Sequence, residues 1–390
     1  MIKKSLLSLL VVILLATFAL FYFGPKRTDA RLNPVLDHAP YTISAAAQAL
    51  HDSLIVGDWH ADTLLWSRDI GNEHNYSHID LPRLQKGNVG LQMFTTVTKS
   101  PSGLNYDKNH ADAADDITKL ALVQRWPVST WSSLTARALH QADKLHRFER
   151  ENSDKLFIIR TKEDLIEWEN RRNESPRLVG GLLGTEGSHA LDGKLENVQT
   201  LFDAGFRMMS LQHFFDNKLG GSLHGVTGEG LSDFGRDVVN KILALNIVLD
   251  VSHSSEQTVS DVLAMTDRAI VVSHTGFKGH CDTARNISDD LMQQIAQNGG
   301  LIAVGYWAGA VCGEDPKAVV GAMKYGMSLV GEDHISLGSD YDGTVTTGFD
   351  TSELAALTQE MLNQGFTENQ IRKIMGGNML KLLKQQLPSA

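Results

Sequence analysis

Short runs rich in Val, Ile, Leu and Met alternate along the chain with longer stretches whose apolar positions recur at helical spacing. That is the pattern of strands buried on both faces and joined by amphipathic helices. Eight such runs occupy residues 54–59, 89–96, 178–185, 206–212, 247–252, 269–273, 301–307 and 335–339. Eight strands with helical connections over about 330 residues predict an α/β protein, a (β/α)8 TIM barrel with insertions. A doubly wound open sheet is the competing arrangement, because periodicity does not decide whether a sheet closes. The longest connection, residues 99–176, carries helical patterns at 134–150 and 162–171. No repeat or glycine-rich phosphate loop interrupts the series, so one folded domain is expected over residues 50–390.

The amino terminus breaks this alternation. Lys3 and Lys4 precede an uncharged apolar segment, residues 6–23, close to the roughly 20 residues that span a bilayer as a helix. Bulky Phe21, Tyr22 and Phe23 run directly into Pro25, Lys26 and Arg27, which is not a small-residue cleavage site. Residues 1–29 are therefore expected to be an uncleaved signal or anchor, with a membrane-spanning helix through residues 6–23, and residues 30–49 a tether. Lys3 and Lys4 are nearly balanced by Lys26, Arg27 and Arg31, so positive charge does not fix the orientation. An apolar leader on an otherwise soluble chain most simply serves to export the domain behind it. The expectation is a domain anchored in a bacterial inner membrane and facing the periplasm.

Composition narrows the function. Of 390 residues, 42% are hydrophobic and 21% charged, so a substantial core is available and wholesale disorder is excluded. A net charge of −10 gives no grip on phosphate backbones, so nucleic acid is not an expected partner. The two cysteines, Cys281 and Cys312, cannot build a disulfide framework or a four-cysteine metal site, but can form one bridge in an oxidising compartment. They lie in no nucleophile motif, and no Gly-x-Ser-x-Gly elbow occurs.

The candidate chemistry lies just beyond the carboxyl ends of the predicted strands, which converge on one face of a barrel. His60 and Asp62 follow the first strand, Glu186 ends the third, and His213, His253 and His274 follow the fourth, fifth and sixth. Asp340 and Asp342 follow the eighth. Imidazoles and carboxylates without thiolates form a donor set suited to zinc, with manganese or cobalt as alternative occupants. His60 and Asp62, two apart in an extended segment, project to the same side. Ser252-His253 and Ser273-His274 repeat one step at the ends of adjacent βα units. His189, Asp250, Ser252 and Ser273 either orient ligands or serve as strand-end hydrogen bonders, and the second role is preferred. Asp342-Gly343 has turn character, which leaves Asp340 better placed to reach a metal and carry protons. Arg285, after the sixth strand, is placed to clamp an anionic end of a substrate.

Together these residues resemble the renal (membrane) dipeptidase family, zinc metallopeptidase family M19, of the amidohydrolase-like barrels. The resemblance rests on Asp58-Trp59-His60-Ala61-Asp62-Thr63, Gly184-Thr185-Glu186-Gly187-Ser188-His189, Leu211-Gln212-His213 and Leu249-Asp250-Val251-Ser252-His253. Val272-Ser273-His274-Thr275, Ala284-Arg285-Asn286, Gly338-Ser339-Asp340-Tyr341-Asp342-Gly343 and Gly376-Gly377-Asn378-Met379-Leu380 continue it to the carboxyl terminus. It implies a barrel of the metal-dependent hydrolase type and two Zn2+ per subunit, one on His60, Asp62 and Glu186, the other on Glu186, His253 and His274. Asp340 would lie against the first ion, His213 would polarise the substrate, and Arg285 would bind its free carboxylate. The implied reaction is hydrolysis of a dipeptide, C-terminal D-residues included, by a metal-bridging hydroxide, with Asp340 passing its proton to the leaving amine. A homodimer is implied as well. The chain departs from the family at Thr283-Ala284, where His-Pro is frequent, and in the glycine-rich stretch 218–230. Rival activities on this scaffold are an N-acyl-D-amino-acid deacylase, a β-lactam hydrolase and a peptidoglycan-fragment hydrolase. A more remote reading is an inactive membrane-tethered binding protein.

Overall fold

The computed structural model describes residues 2–390. Among them are nine strands: β1 (Val56–Ala61), β2 (Val89–Val97), β3 (Leu156–Ile158), β4 (Val179–Glu186), β5 (Phe206–Ser210), β6 (Val248–Asp250), β7 (Val271–Thr275), β8 (Leu301–Val304) and β9 (Ile335–Leu337). The order β2-β1-β9-β8-β7-β6-β5-β4 is closed by parallel pairing of β2 with β4, from Leu91 opposite Gly180 to Val97 opposite Glu186. Eight parallel strands therefore form a closed barrel with helices outside, and the open doubly wound sheet is excluded. β3 is an addition to it. Because β2 occupies one edge of β4, β3 and β5 share the other, pairing with residues 179–181 and 183–185 respectively. This short strand lies inside the long connection, where a run of only a few apolar residues carries little periodic signal.

Successive residues of a barrel strand face opposite ways, and the core divides accordingly. Ile302 and Val304 pack in one apolar cluster, while Leu301 and Ala303 pack in another with Met379, Leu382 and Leu383 of the terminal helix Asn378–Gln386. Polar side chains at helix starts fix where the connections turn. Ser133 caps Leu134–Glu151, and Thr161 with Asp164 forms a capping box on Lys162–Glu174. Close approach at the strand ends needs glycine. A Cβ at Gly338 would lie 2.0 Å from the Ser273 carbonyl oxygen, so the segment leaving β9 reaches β7 only without a side chain there.

The apolar amino-terminal segment forms part of one helix, Ile2–Leu32. It is long and apolar enough to cross a membrane, and none of its apolar window is buried against the barrel. The segment expected as a tether lies against the domain. Asn33 is fully buried, Val35 bridges Thr347, the Tyr41 hydroxyl donates to the Gly348 carbonyl (2.7 Å), and Ala45–Asp52 is helical. Cys281 and Cys312 are joined in a disulfide, tying the loop after β7 to the loop after β8.

Candidate metal centre

The strand-end residues picked out in the sequence meet at the carboxyl end of the barrel, around one carboxylate. Glu186 Oε1 lies 3.3 Å from Nε2 of His213 and of His253, 3.4 Å from that of His274 and 3.5 Å from that of His60. His60 Nε2 is also 3.7 Å from Asp62 Oδ1 and 3.9 Å from Asp340 Oδ1. The donors fall into two tight groups that share Glu186: His60, Glu186, His274 and Asp340, and Glu186, His213 and His253. Asp62 stands just outside them, beside His60, its Oδ1 accepting from Thr95 Oγ1 (2.6 Å). The two groups adjoin, since Nε2 of His253 and of His274 lie 2.9 Å apart and both face Glu186 Oε1.

Physical chemistry makes this a place for cations. Three buried carboxylates, Asp62, Glu186 and Asp340, converge on this point, with His60 Nε2 beside all three. Burial pushes the Asp340 carboxyl well above the usual range; His60 and Arg285 oppose that push, while the Glu186 and Asp62 charges add to it. Burial also raises Asp62, helped by Glu186. Burial opposes a charge on His60, but Asp62 and Glu186 outweigh it and raise its pKa well above the ordinary value. His253 and His274 are held well below the usual value, chiefly by burial, so their rings are neutral and ready to act as ligands. His60 Nε2 and Glu186 Oε2 have no hydrogen-bond partner among the described residues. Buried lone pairs without donors, together with surplus negative charge, fit divalent cations on nitrogen and oxygen ligands.

The surrounding side chains fix the ligands' orientation. Ser273 Oγ donates to Asp250 Oδ2 (2.7 Å), and its lone pairs face Nδ1 of His60 (3.0 Å) and of His274 (2.9 Å). A hydroxyl has one proton, so both rings must donate through Nδ1 and present Nε2 lone pairs to the centre. Ser252 Oγ donates to the other oxygen of Asp250 (2.6 Å). These polar residues therefore bear directly on two candidate ligands, beyond the strand-end role preferred from sequence. Asp340 occupies the left-handed region at φ 60°. Gly343 makes room for it, since a Cβ there would lie 2.3 Å from Asp340 Oδ1. Asp342, the turn residue of the sequence reading, is wholly buried beside Arg68 and His78, which hold its carboxyl well below the usual range against the effect of burial.

A cleft of about 630 Å3 opens onto the centre, and Arg285 lines it beside Asp340 and His213. Arg285 is 1% exposed, and its guanidinium is fixed by the carbonyls of Ser252 (3.2 Å) and His274 (2.7 Å). These bonds commit two of its five N–H donors, and Nη2 also lies 3.5 Å from His253 Nε2. Tyr106, Phe214 and Trp307 also line the cleft and were not singled out in the sequence. Trp307 Nε1 donates to the Tyr106 hydroxyl (2.9 Å), and His224 packs on Phe214 at 4.8 Å while bonding the Tyr106 carbonyl through Nδ1 (2.8 Å). Tyr106 and His224 come from long loops, where no strand end marks their place, whereas Phe214 and Trp307 follow β5 and β8 closely but carry no metal-ligand chemistry.

With this geometry in view, the relationship to known proteins is direct. The family described as membrane dipeptidase (peptidase family M19) matches residues 44–389. The chain is 26% identical over 356 residues to dipeptidase aclJ of Aspergillus oryzae, spanning 84% of this chain and 76% of that protein. Its fold is similar to that of the probable dipeptidase PvdM from Pseudomonas aeruginosa, with TM-score 0.70, 18% identity, and coverage of 88% of this chain and 97% of that one. It is also similar to a metallopeptidase from Rhodobacter sphaeroides liganded with a phosphinate mimic of the dipeptide L-Ala-D-Ala, with TM-score 0.66, 22% identity, and coverage of 85% and 99%. The chain belongs to the membrane dipeptidase family, peptidase family M19, and is a metallo-dipeptidase.

Proposed function

We propose that the protein is a binuclear zinc dipeptidase that hydrolyses dipeptides bearing a free C-terminal carboxylate. The observation that carries this reading is the meeting of four imidazoles on one oxygen of Glu186, with Arg285 fixed at the same cleft. His60, Asp62 and Glu186 would hold one cation, and Glu186, His253 and His274 the other. Two such ions supply Lewis-acid polarisation of a carbonyl and acidification of water at neutral pH. Arg285 binds the terminal carboxylate by charge-assisted bonds and so measures the substrate from its carboxyl end. His213 donates towards the scissile carbonyl oxygen as charge develops on it. Asp340, beside His60 at the same centre, takes a proton from the attacking water and returns it to the leaving amine.

C-terminal D-residues belong to the proposed substrate range, a reading supported by the dipeptide mimic in the Rhodobacter protein. The helix through residues 6–23 anchors the chain, with its domain exported to the periplasmic side of a bacterial inner membrane. The disulfide supports an oxidising compartment. Turnover of L,L and L,D dipeptides, the same dipeptides as C-terminal amides, and N-acyl amino acids tests the proposal. It expects hydrolysis of free dipeptides and little of their amides. Preferred cleavage of N-acyl amino acids would replace it with a deacylase, and no turnover of any of them would reject the dipeptidase in favour of a β-lactam hydrolase, a peptidoglycan-fragment hydrolase or a binding protein.

A further inference from the structure

The last turn of the apolar helix is built into the support of the Asp340 loop. Asp29 and Asn33, one helical turn apart, are 2% and 0% exposed, although Lys26, Arg27 and Arg31 around them face solvent. Asp29 Oδ2 accepts from Arg68 Nη1 (2.7 Å), and its Oδ1 accepts from Ser77 Oγ (2.5 Å) and Asn33 Nδ2 (2.8 Å). The other arm of Arg68 donates to Asp342 Oδ2. Asn33 Oδ1 accepts the backbone N–H of Thr344 (2.9 Å). One turn of helix thus holds the segment after Asp340 at two points, through Arg68 at Asp342 and directly at Thr344.

That segment needs holding. Asp340, Asp342 and Thr344 lie at φ 60°, 64° and 65°, left-handed conformations that non-glycine residues adopt only when their surroundings impose them. Asp340 takes the direction of its carboxylate from this backbone, and further restraints come from Trp66 Nε1 on the Asp342 carbonyl (2.7 Å), Thr63 Oγ1 on Asp342 Oδ2 (2.7 Å) and His78, whose backbone N–H donates to Asp342 Oδ1 (2.9 Å) while its Nδ1 accepts from the Asp342 N–H (3.0 Å).

We propose that Asp29 and Asn33 are positioning residues for Asp340, so that the base of the membrane helix is part of the working enzyme and stays attached to it. The inference rests on the proposed role of Asp340. Its test uses the full chain in detergent, comparing Asn33→Ala, Asp29→Ala and Asp29→Asn with Arg31→Ala as an exposed control from the same turn. Hydrogen exchange of the backbone amides at 340–347, kcat and KM for a dipeptide, and the intact mass of the active wild type are read together. Asn33→Ala is expected to speed exchange at 340–347 but not across the barrel, and to lower kcat at least tenfold with KM within about twofold. Asp29→Ala should do the same and Asp29→Asn less, because it keeps an acceptor for Ser77 and Asn33, while Arg31→Ala changes neither readout. Unchanged exchange in Asn33→Ala overturns the inference, as does faster exchange with unchanged kcat. An active wild type whose mass shows cleavage beyond residue 33 also overturns it, and remains decisive should Asp29→Ala fail to fold. Loss of local protection without any wild-type dipeptide turnover would reject the function proposed above while leaving the structural link standing.

Discussion

Replacing Ser273 by alanine removes one hydroxyl and bears on four groups at once, Ser252 Oγ (2.9 Å) among them. Two buried imidazole N–H groups, on His60 and His274, lose their acceptor, and Asp250 Oδ2 loses its donor. A buried polar group left without a partner costs about 1–3 kcal/mol, so the two rings alone place the folding penalty at roughly 2–6 kcal/mol before any relaxation. Freed of that bond, each ring can turn or change tautomer and present an N–H where a lone pair is needed. Losing such an orienting partner typically weakens metal binding about 10–100-fold, or about 1.4–2.8 kcal/mol. Because one hydroxyl serves both rings, and the rings belong to different proposed cation sites, both affinities should fall together. Competition with a chromogenic chelator reads the two affinities separately, and thermal melting of metal-free protein reads the folding term. If Ser273→Ala leaves both affinities within twofold of wild type, the hydroxyl does not set the tautomers. If only one affinity falls, the shared role is wrong.

The same geometry yields further expectations. Arg285→Met should raise KM for free dipeptides about 10–100-fold, the loss of a charged hydrogen bond, and leave dipeptide amides unaffected; Arg285→Lys should not restore the wild-type value, since a point charge lacks the fork. His189 and His224 are buried rings whose pKa values are pulled from 6.5 to about 3, chiefly by burial. The unfolded chain therefore binds more protons, so their contribution to stability is complete above pH 6.5 and declines as pH falls towards 3. Melting of metal-free protein across that range should show a shallower slope for His189→Leu, and an unchanged slope would refute the assignment. Substituting Cys281 and Cys312 by serine opens a loop of 31-residue separation and should cost up to about 4 kcal/mol by the chain-entropy relation, measured by denaturant titration.

The site was legible where chemistry coincides with the ends of regular elements. His60, Glu186, His253 and His274 sit directly at the carboxyl ends of long apolar runs, and a closed barrel brings those ends together whatever the loops do. What sequence could not supply was the partnership of small polar groups. Ser273 and Asp250 look the same in sequence whether they terminate strands or steer ligands, because the difference lies in contacts across neighbouring strands. Tyr106 and His224 lie in loops without periodicity, so nothing marks their approach to the cleft. Asp29 and Asn33 follow the apolar segment 6–23 and have the composition of a linker, and only burial against Arg68 and Thr344 reveals their place. β3 was missed because its brief apolar run lies among helices.

The central claim is that strand-end acids and imidazoles hold two cations that dipeptide hydrolysis requires. Elemental analysis of the purified full chain, with dipeptide turnover measured before chelation, after chelation and after zinc is restored, tests it most directly. The account predicts two metal ions per chain, turnover abolished with their removal, and recovery on zinc addition. Less than one ion per chain in fully active protein, or turnover indifferent to the chelator, would contradict it.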